Sequence, residues 1–214
     1  MLRIIAGHFR SRHLETPPDG ATTRPLPDRV RVAMFNMLHG HLEGQAVFDV
    51  FSGTGSFGLE AISRGAVEAV MVEKERSVVK LIERNIASLG VGDRASVFQG
   101  DALGAAALSR CPRPVHVVFF DPPYPMMEDP QVRPRVLDQF ARCVALLDEK
   151  GFAIIRTPWP FVEHEQVDTD EVDDEGEPIV KVLKKPVDFT VAGAAGPETH
   201  PYGSTALHWF MRKA

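Results

Sequence analysis

The chain has 214 residues, 44% of them hydrophobic and 25% charged, with a formal net charge of −5 at pH 7. That composition suits a soluble globular protein with a sizeable core, and two cysteines exclude a disulfide-framed secreted module. No apolar run approaches a membrane span, and the first residues lack the apolar core of a signal peptide, so a cytoplasmic protein off the membrane is expected.

Residues 2–5 and 9–14 read as two short strands around Gly7, followed by a loop rich in Pro, Thr and Gly. Asp28 is placed to cap a helix reaching about Leu38, with Val30, Met34, Met37 and Leu38 at helical spacing. From residue 46 onward the pattern alternates. Strands are expected over 47–51, 69–72, 95–98, 115–120 and 152–156. Helices are expected over 55–64, 75–89, 102–109 and 131–147. Alternation with wholly apolar strands argues for an α/β fold whose mostly parallel sheet is covered on both faces.

Residues 179–183 and 205–211 read as strands with no helix between them, which suggests an antiparallel hairpin at the sheet edge. Residues 163–177 hold nine acids and no Lys or Arg, and are expected to form a mobile loop. The division expected is an N-terminal extension over 1–45 and a main domain over 46–214. Arg3, Arg10, Arg12, Arg24, Arg29 and Arg31 make the extension basic, which suits an RNA partner.

Carboxylates recur at or near successive strand ends: Asp49, Glu73, Asp101 and Asp121. In a parallel sheet those ends share one rim, where ligands bind. Gly53, Gly55 and Gly58 fit the pattern G-x-G-x-x-G after a strand and opening a helix, with Glu73 at the distance of a ribose-binding acid. Alone, this loop suits a dinucleotide oxidoreductase as well as an S-adenosylmethionine enzyme. Asp49, before the glycines, repels a pyrophosphate and attracts a sulfonium with its ammonium group.

The second clue is Asp121-Pro122-Pro123-Tyr124 after the apolar run 115–120. Two prolines stop the sheet ladder and leave backbone carbonyls without a neighbouring strand. An acid, bare carbonyls and a phenol ring suit a flat base bearing an exocyclic amine. Methylation of an amine fits both clues. The expected cofactor contacts are Asp49, Phe51, Ser52, Gly53, Thr54, Gly55, Glu73, Lys74, Asp101 and Ala102.

Arg3-Ile4-Ile5-Ala6-Gly7, Arg24 through Arg31, Met34-Phe35-Asn36-Met37-Leu38, the glycine loop, Gly100-Asp101-Ala102, Asp121 to Tyr124 and Tyr202-Gly203-Ser204-Thr205-Ala206-Leu207 occur in order. Together they resemble the RsmD family of bacterial 16S ribosomal-RNA guanine-N2 methyltransferases over nearly the whole chain. The resemblance implies a class I, Rossmann-like methyltransferase with a seven-stranded sheet, S-adenosyl-L-methionine as cofactor, and 16S rRNA as partner, free or in an assembling small subunit. It also implies that Asp121, Pro122, Pro123 and Tyr124 grip the target base, and that Arg10, Arg12, Arg24, Asp28, Arg29 and Arg31 shape the RNA and cofactor entrance. Leu26-Pro27, Ala6 and Val32 depart from the family pattern.

The remaining readings are DNA adenine-N6 methylation, an NAD-binding oxidoreductase and a non-catalytic RNA-binding module. No histidine set converges with acids or cysteines, so no metal is expected. Cys111 and Cys143 are expected as reduced thiols, Trp159 and Phe161 as packing under the acidic segment, and the protein as a monomer.

Overall fold

The structure, a computed structural model, describes residues 2–17, 26–172 and 178–213. In chain order its elements are α1 (Asp28–Met37), β1 (Ala46–Asp49), α2 (Ser56–Ser63), β2 (Glu68–Glu73), α3 (Arg76–Leu89), β3 (Ala95–Gln99), α4 (Ala105–Leu108), β4 (Val115–Phe120), α5 (Tyr124–Glu128), α6 (Arg133–Val144), β5 (Leu147–Pro158), β6 (Val162–Val172), β7 (Pro178–Pro186), β8 (Ala194–Tyr202) and β9 (Thr205–Arg212). Seven strands form one sheet in the order β3-β2-β1-β4-β5-β9-β8, and β6 and β7 form a separate pair. Strands β1 to β5 are parallel, while β9 runs antiparallel to β5 and to β8.

Every residue of β4 is buried, as a central strand covered on both faces requires. One face carries α1, α2 and α3 through Val30, Phe35, Leu59, Ile62, Ile82 and Ile86. The other carries α4 and α6 through Ala107, Val136, Phe140 and Val144. Helix α3 buries Val78, Val79, Ile82 and Ile86 as its periodicity demands. Helix α1 differs: Phe35 is buried and Met37 is 38% exposed. Its cap position is Pro27 and Asp28 is its first residue, because the fixed proline φ already suits that position.

The N-terminal segment is a turn with one antiparallel bridge, Arg3 to His13, rather than two strands. Helix α2 holds it in place. Glu60, with no exposed surface, accepts the N–H groups of Ile5 (2.6 Å) and Ala6 (3.0 Å), and its carboxylate pairs with Arg64 Nε at 2.7 Å. Ser63 Oγ accepts the Phe9 N–H at 2.9 Å.

Two expectations for the C-terminal half need correction. The partner of the last strand is β8, not residues 179–183. Those residues fall in β7 and pair with β6, so the acidic segment is strand as far as Val172; residues 173–177 lie outside the described residues. The register explains why so acidic a stretch can pair. Glu163 stands opposite Lys185, whose ammonium also pairs with Glu165, and opposite charges across a ladder stabilise it. Phe161 packs on Phe189 with ring centroids 5.4 Å apart, whereas Trp159 is 38% exposed. Cys111 and Cys143 are free and buried.

Candidate active site

Strands β1 and β2 end at Asp49 and Glu73, Asp101 lies two residues beyond β3, and Asp121 follows β4 directly. All four therefore reach the same rim, and β1 lies beside β4 where the strand order reverses, the position at which such sheets bind ligands. Gly53 and Gly55 take φ of 50° and 74°, a left-handed conformation that strains other residues. A Cβ on Gly58 would lie 2.8 Å from Met71 Cγ, so this glycine lets α2 sit tightly on β2.

Asp49 lies beneath the glycine loop with no exposed surface and lines neither of the cavities on the rim. Its Oδ2 accepts the Gly58 N–H at 3.1 Å, and Oδ1 has no donor among the described residues. Burial, added to by the Asp121 and Glu73 carboxylates, pushes its pKa up to about 8. In this arrangement Asp49 supports the loop from below.

Two cavities open on the rim. One, of about 390 Å³, is walled by Glu73, Lys74, Asp101, Ala102 and the apolar side chains of Val72, Met126 and Val132. Glu73 Oε1 accepts the N–H groups of Lys74 (2.7 Å) and Glu75 (2.8 Å), and burial raises its pKa. Asp101 Oδ1 accepts the Leu103 N–H at 3.0 Å. The second cavity, of about 520 Å³, is walled by Leu26, Arg31, Phe57, Tyr124, Glu128 and Arg156 among others. Phe51, Gly53, Thr54, Asp121 and Pro123 line both, so the two cavities meet at the end of β4.

At that junction the pairing of β4 with β5 stops at Phe120 and Ile155. Pro122 is buried, Pro123 is exposed, and α5 begins at Tyr124. Arg156, to which sequence reasoning attached no role, donates from Nε to Asp121 Oδ1. Its guanidinium lies over the Tyr124 ring, 5.1 Å from the centroid. Asp121 Oδ2 accepts no donor among the described residues. Burial raises the Asp121 pKa, and the Arg156 cation opposes that rise.

The structure separates the entrance residues. Arg31 lines the larger cavity at 1% exposure, donating from Nη2 to the Arg3 carbonyl (2.8 Å) and to Asp28 (3.1 Å). Its Nε and Nη1 have no acceptor among the described residues, and burial lowers its pKa. Arg29 is exposed near Gly203 in the β8–β9 turn. Arg12 instead donates to the Ser88 carbonyl at the far end of α3, and neither it nor exposed Arg10 lines either cavity. Arg24 lies outside the described residues.

Residues 2–167 match the family model described as conserved hypothetical protein 95. The chain belongs to that family. The likeness to the RsmD family drawn from the motifs holds, since Ribosomal RNA small subunit methyltransferase D of Escherichia coli K12 is 38% identical over 123 residues. That match covers 58% of this chain and 60% of the relative's length. Putative rRNA methyltransferase YlbH of Bacillus subtilis 168 is 29% identical over 154 residues, covering 72% of this chain and 80% of that protein. The solved structure of the putative methyltransferase yhhF of Escherichia coli superposes with a TM-score of 0.71 at 25% identity, covering 100% of this chain and 98% of that one. The fold is that of the class I S-adenosylmethionine-dependent methyltransferases, a mostly parallel seven-stranded sheet with an antiparallel C-terminal hairpin.

Proposed function

We propose that the protein transfers a methyl group from S-adenosyl-L-methionine to the exocyclic N2 of a guanine in small-subunit ribosomal RNA. The observation that carries this reading is that Asp121 lies with Pro123 on the wall shared by both cavities, with Tyr124 on the wall of the larger one. The smaller cavity suits the cofactor: Glu73 offers a carboxylate to ribose hydroxyls, Asp101 and Ala102 share the wall with apolar Val72, Met126 and Val132, and glycines keep side chains off the loop. When bound, S-adenosylmethionine supplies an electrophilic methyl group at a sulfonium.

The chain's own residues prepare the nucleophile. Asp121 Oδ2 and the Pro122 carbonyl accept the two amine hydrogens, which draws the lone pair out of the ring. Tyr124 stacks on the base with the face that Arg156 leaves open, worth about 1–3 kcal/mol. Holding amine and methyl group in line contributes on the order of 7 kcal/mol or more. Asp121 then takes the amine proton at Oδ2, a task for which burial has made it a better base. The RsmD relatives support ribosomal RNA as the substrate, and the basic extension agrees with it.

The test is incubation with methyl-labelled cofactor and small-subunit rRNA, assembled small subunits or DNA, followed by identification of the modified nucleoside. N2-methylguanine in rRNA is expected, and Asp121→Ala should abolish it while binding S-adenosylhomocysteine within about twofold of wild type. Methyladenine as the product, or near-normal turnover by the variant, overturns the reading.

A further inference from the structure

Arg156 and Asp121 lie one residue beyond the Phe120–Ile155 pair, on adjacent strands. Both side chains are largely sequestered, at 13% and 16% exposure, so their ion pair is not one of the screened surface contacts that contribute little. The contact is one-sided. Arg156 donates to Oδ1, which holds the carboxylate from one side, and Oδ2 accepts no donor among the described residues. The same guanidinium covers one face of Tyr124. A single side chain thus touches both groups that are assigned to the base.

The other charged groups around Asp121 do not replace it. Asp49 lies beneath from β1 and, with its pKa raised to about 8, is largely neutral at pH 7. Glu128 of α5 lines the same cavity with a carboxylate, and Arg31 of α1 lines it with its cation tied to Asp28. Tyr124, also from α5, has its ring against Arg156. Among the described residues Arg156 is the cation that touches Asp121.

We propose that Arg156 is the positioning residue of the amine site: it keeps Asp121 an oriented carboxylate with one oxygen open to the base, and backs Tyr124 so that the ring presents its other face. This deepens the methyltransferase reading and rests on it for the identity of the base. The sign follows from the causes. Burial favours the protonated acid and Arg156 favours the carboxylate, so removing Arg156 leaves Asp121 protonated to higher pH. A protonated Asp121 is a weaker acceptor for the amine hydrogen and cannot take the proton.

The first measurement uses the free protein. Infrared difference spectra of Arg156→Gln against Arg156→Gln/Asp121→Asn, titrated from pH 5 to 9.5, read the carboxyl and carboxylate bands of Asp121. The carboxyl band should persist to higher pH than in the matching pair with Arg156 intact, and Arg156→Lys should restore most of the difference. The second measurement is kcat/KM against pH. Arg156→Gln should lose roughly 100-fold at neutral pH, with its acid limb displaced upward so that part of the loss is recovered at pH 9. Its affinity for S-adenosylhomocysteine should stay within about twofold of wild type, which shows that the fold is intact. Coincident infrared titrations with and without Arg156, or activity profiles that run parallel across the range, overturn the proposal. The infrared result needs no substrate, so it stands or falls separately from the choice of guanine N2 as acceptor.

Discussion

Replacing Asp49 with Asn keeps an oxygen to accept the Gly58 N–H and removes the ionisable group beneath the glycine loop. Burial lifts the Asp49 pKa from 3.8 to about 8. The folded chain therefore holds this proton more tightly than the unfolded chain, and stability is lost as pH rises from about 4 through about 8. A lift of about four units, at about 1.4 kcal/mol each, is on the order of 5 kcal/mol by the time Asp49 is fully ionised. Urea denaturation of wild type and Asp49→Asn at each half unit from pH 4 to 9 isolates this residue and its coupling to Asp121 and Glu73, because the uncoupled groups cancel in the difference. Asp49→Asn should match wild type near pH 4 and become steadily the more stable protein up to about pH 8, with a plateau above. Since Asp49 lines neither cavity, saturating S-adenosylhomocysteine should leave the difference unchanged. A difference independent of pH refutes the burial argument. A difference that collapses when ligand is added shows instead that Asp49 meets the cationic end of the cofactor.

Two further perturbations test the scaffold. Glu60→Ala strands the Ile5 and Ala6 N–H groups and the Arg64 guanidinium, and should cost about 3 kcal/mol in denaturant titrations; a loss below about 1 kcal/mol contradicts the anchoring role. Gly58→Ala places a methyl group 2.8 Å from Met71 Cγ and should cost about 1–3 kcal/mol, with wild-type stability counting against tight packing of α2 on β2.

The parallel half of the fold is legible because each central strand is bounded by turns and buried on both faces, so its apolar run is unbroken. The carboxylate rim is legible for the same reason: once the strands are placed, Asp49, Glu73, Asp101 and Asp121 follow them. Strand β8 escapes this reasoning. It contains Gly196, Pro197 and Pro201 and is mostly exposed, and an edge strand needs neither an apolar run nor a full set of N–H donors. Strand β6 is hidden because its acids, read alone, describe a solvated loop; Lys185, which meets Glu163 and Glu165, becomes visible only in register with β7. Helix α5 is five residues long with Pro125 inside, too short for any periodicity. Arg156 follows a buried run, Ala153 to Ile155, and looks like the polar end of a strand. Its meaning comes from Asp121, 35 residues away in the chain and adjacent only after β4 and β5 pair. The one available signal is an arginine at the end of the strand that follows Asp-Pro-Pro-Tyr.

Asp49 and Asp121 show how one rim assigns different work to two acids. Both are held in surroundings that favour the neutral form. Asp49 has a single backbone donor and no cation, and its carboxyl is sealed under the loop. It can hold a turn but cannot exchange a proton with a ligand in either cavity. Asp121 has a guanidinium on one oxygen and lines both cavities where they meet. Burial raises its pKa and the guanidinium opposes that rise, the kind of opposition by which a proton acceptor is tuned. A difference of two residues along neighbouring strands and one arginine therefore separates a structural carboxyl from a reactive one. The same contrast predicts the failure mode of Arg156→Gln: Asp121 becomes a second Asp49, protonated and inert, in a protein that still folds.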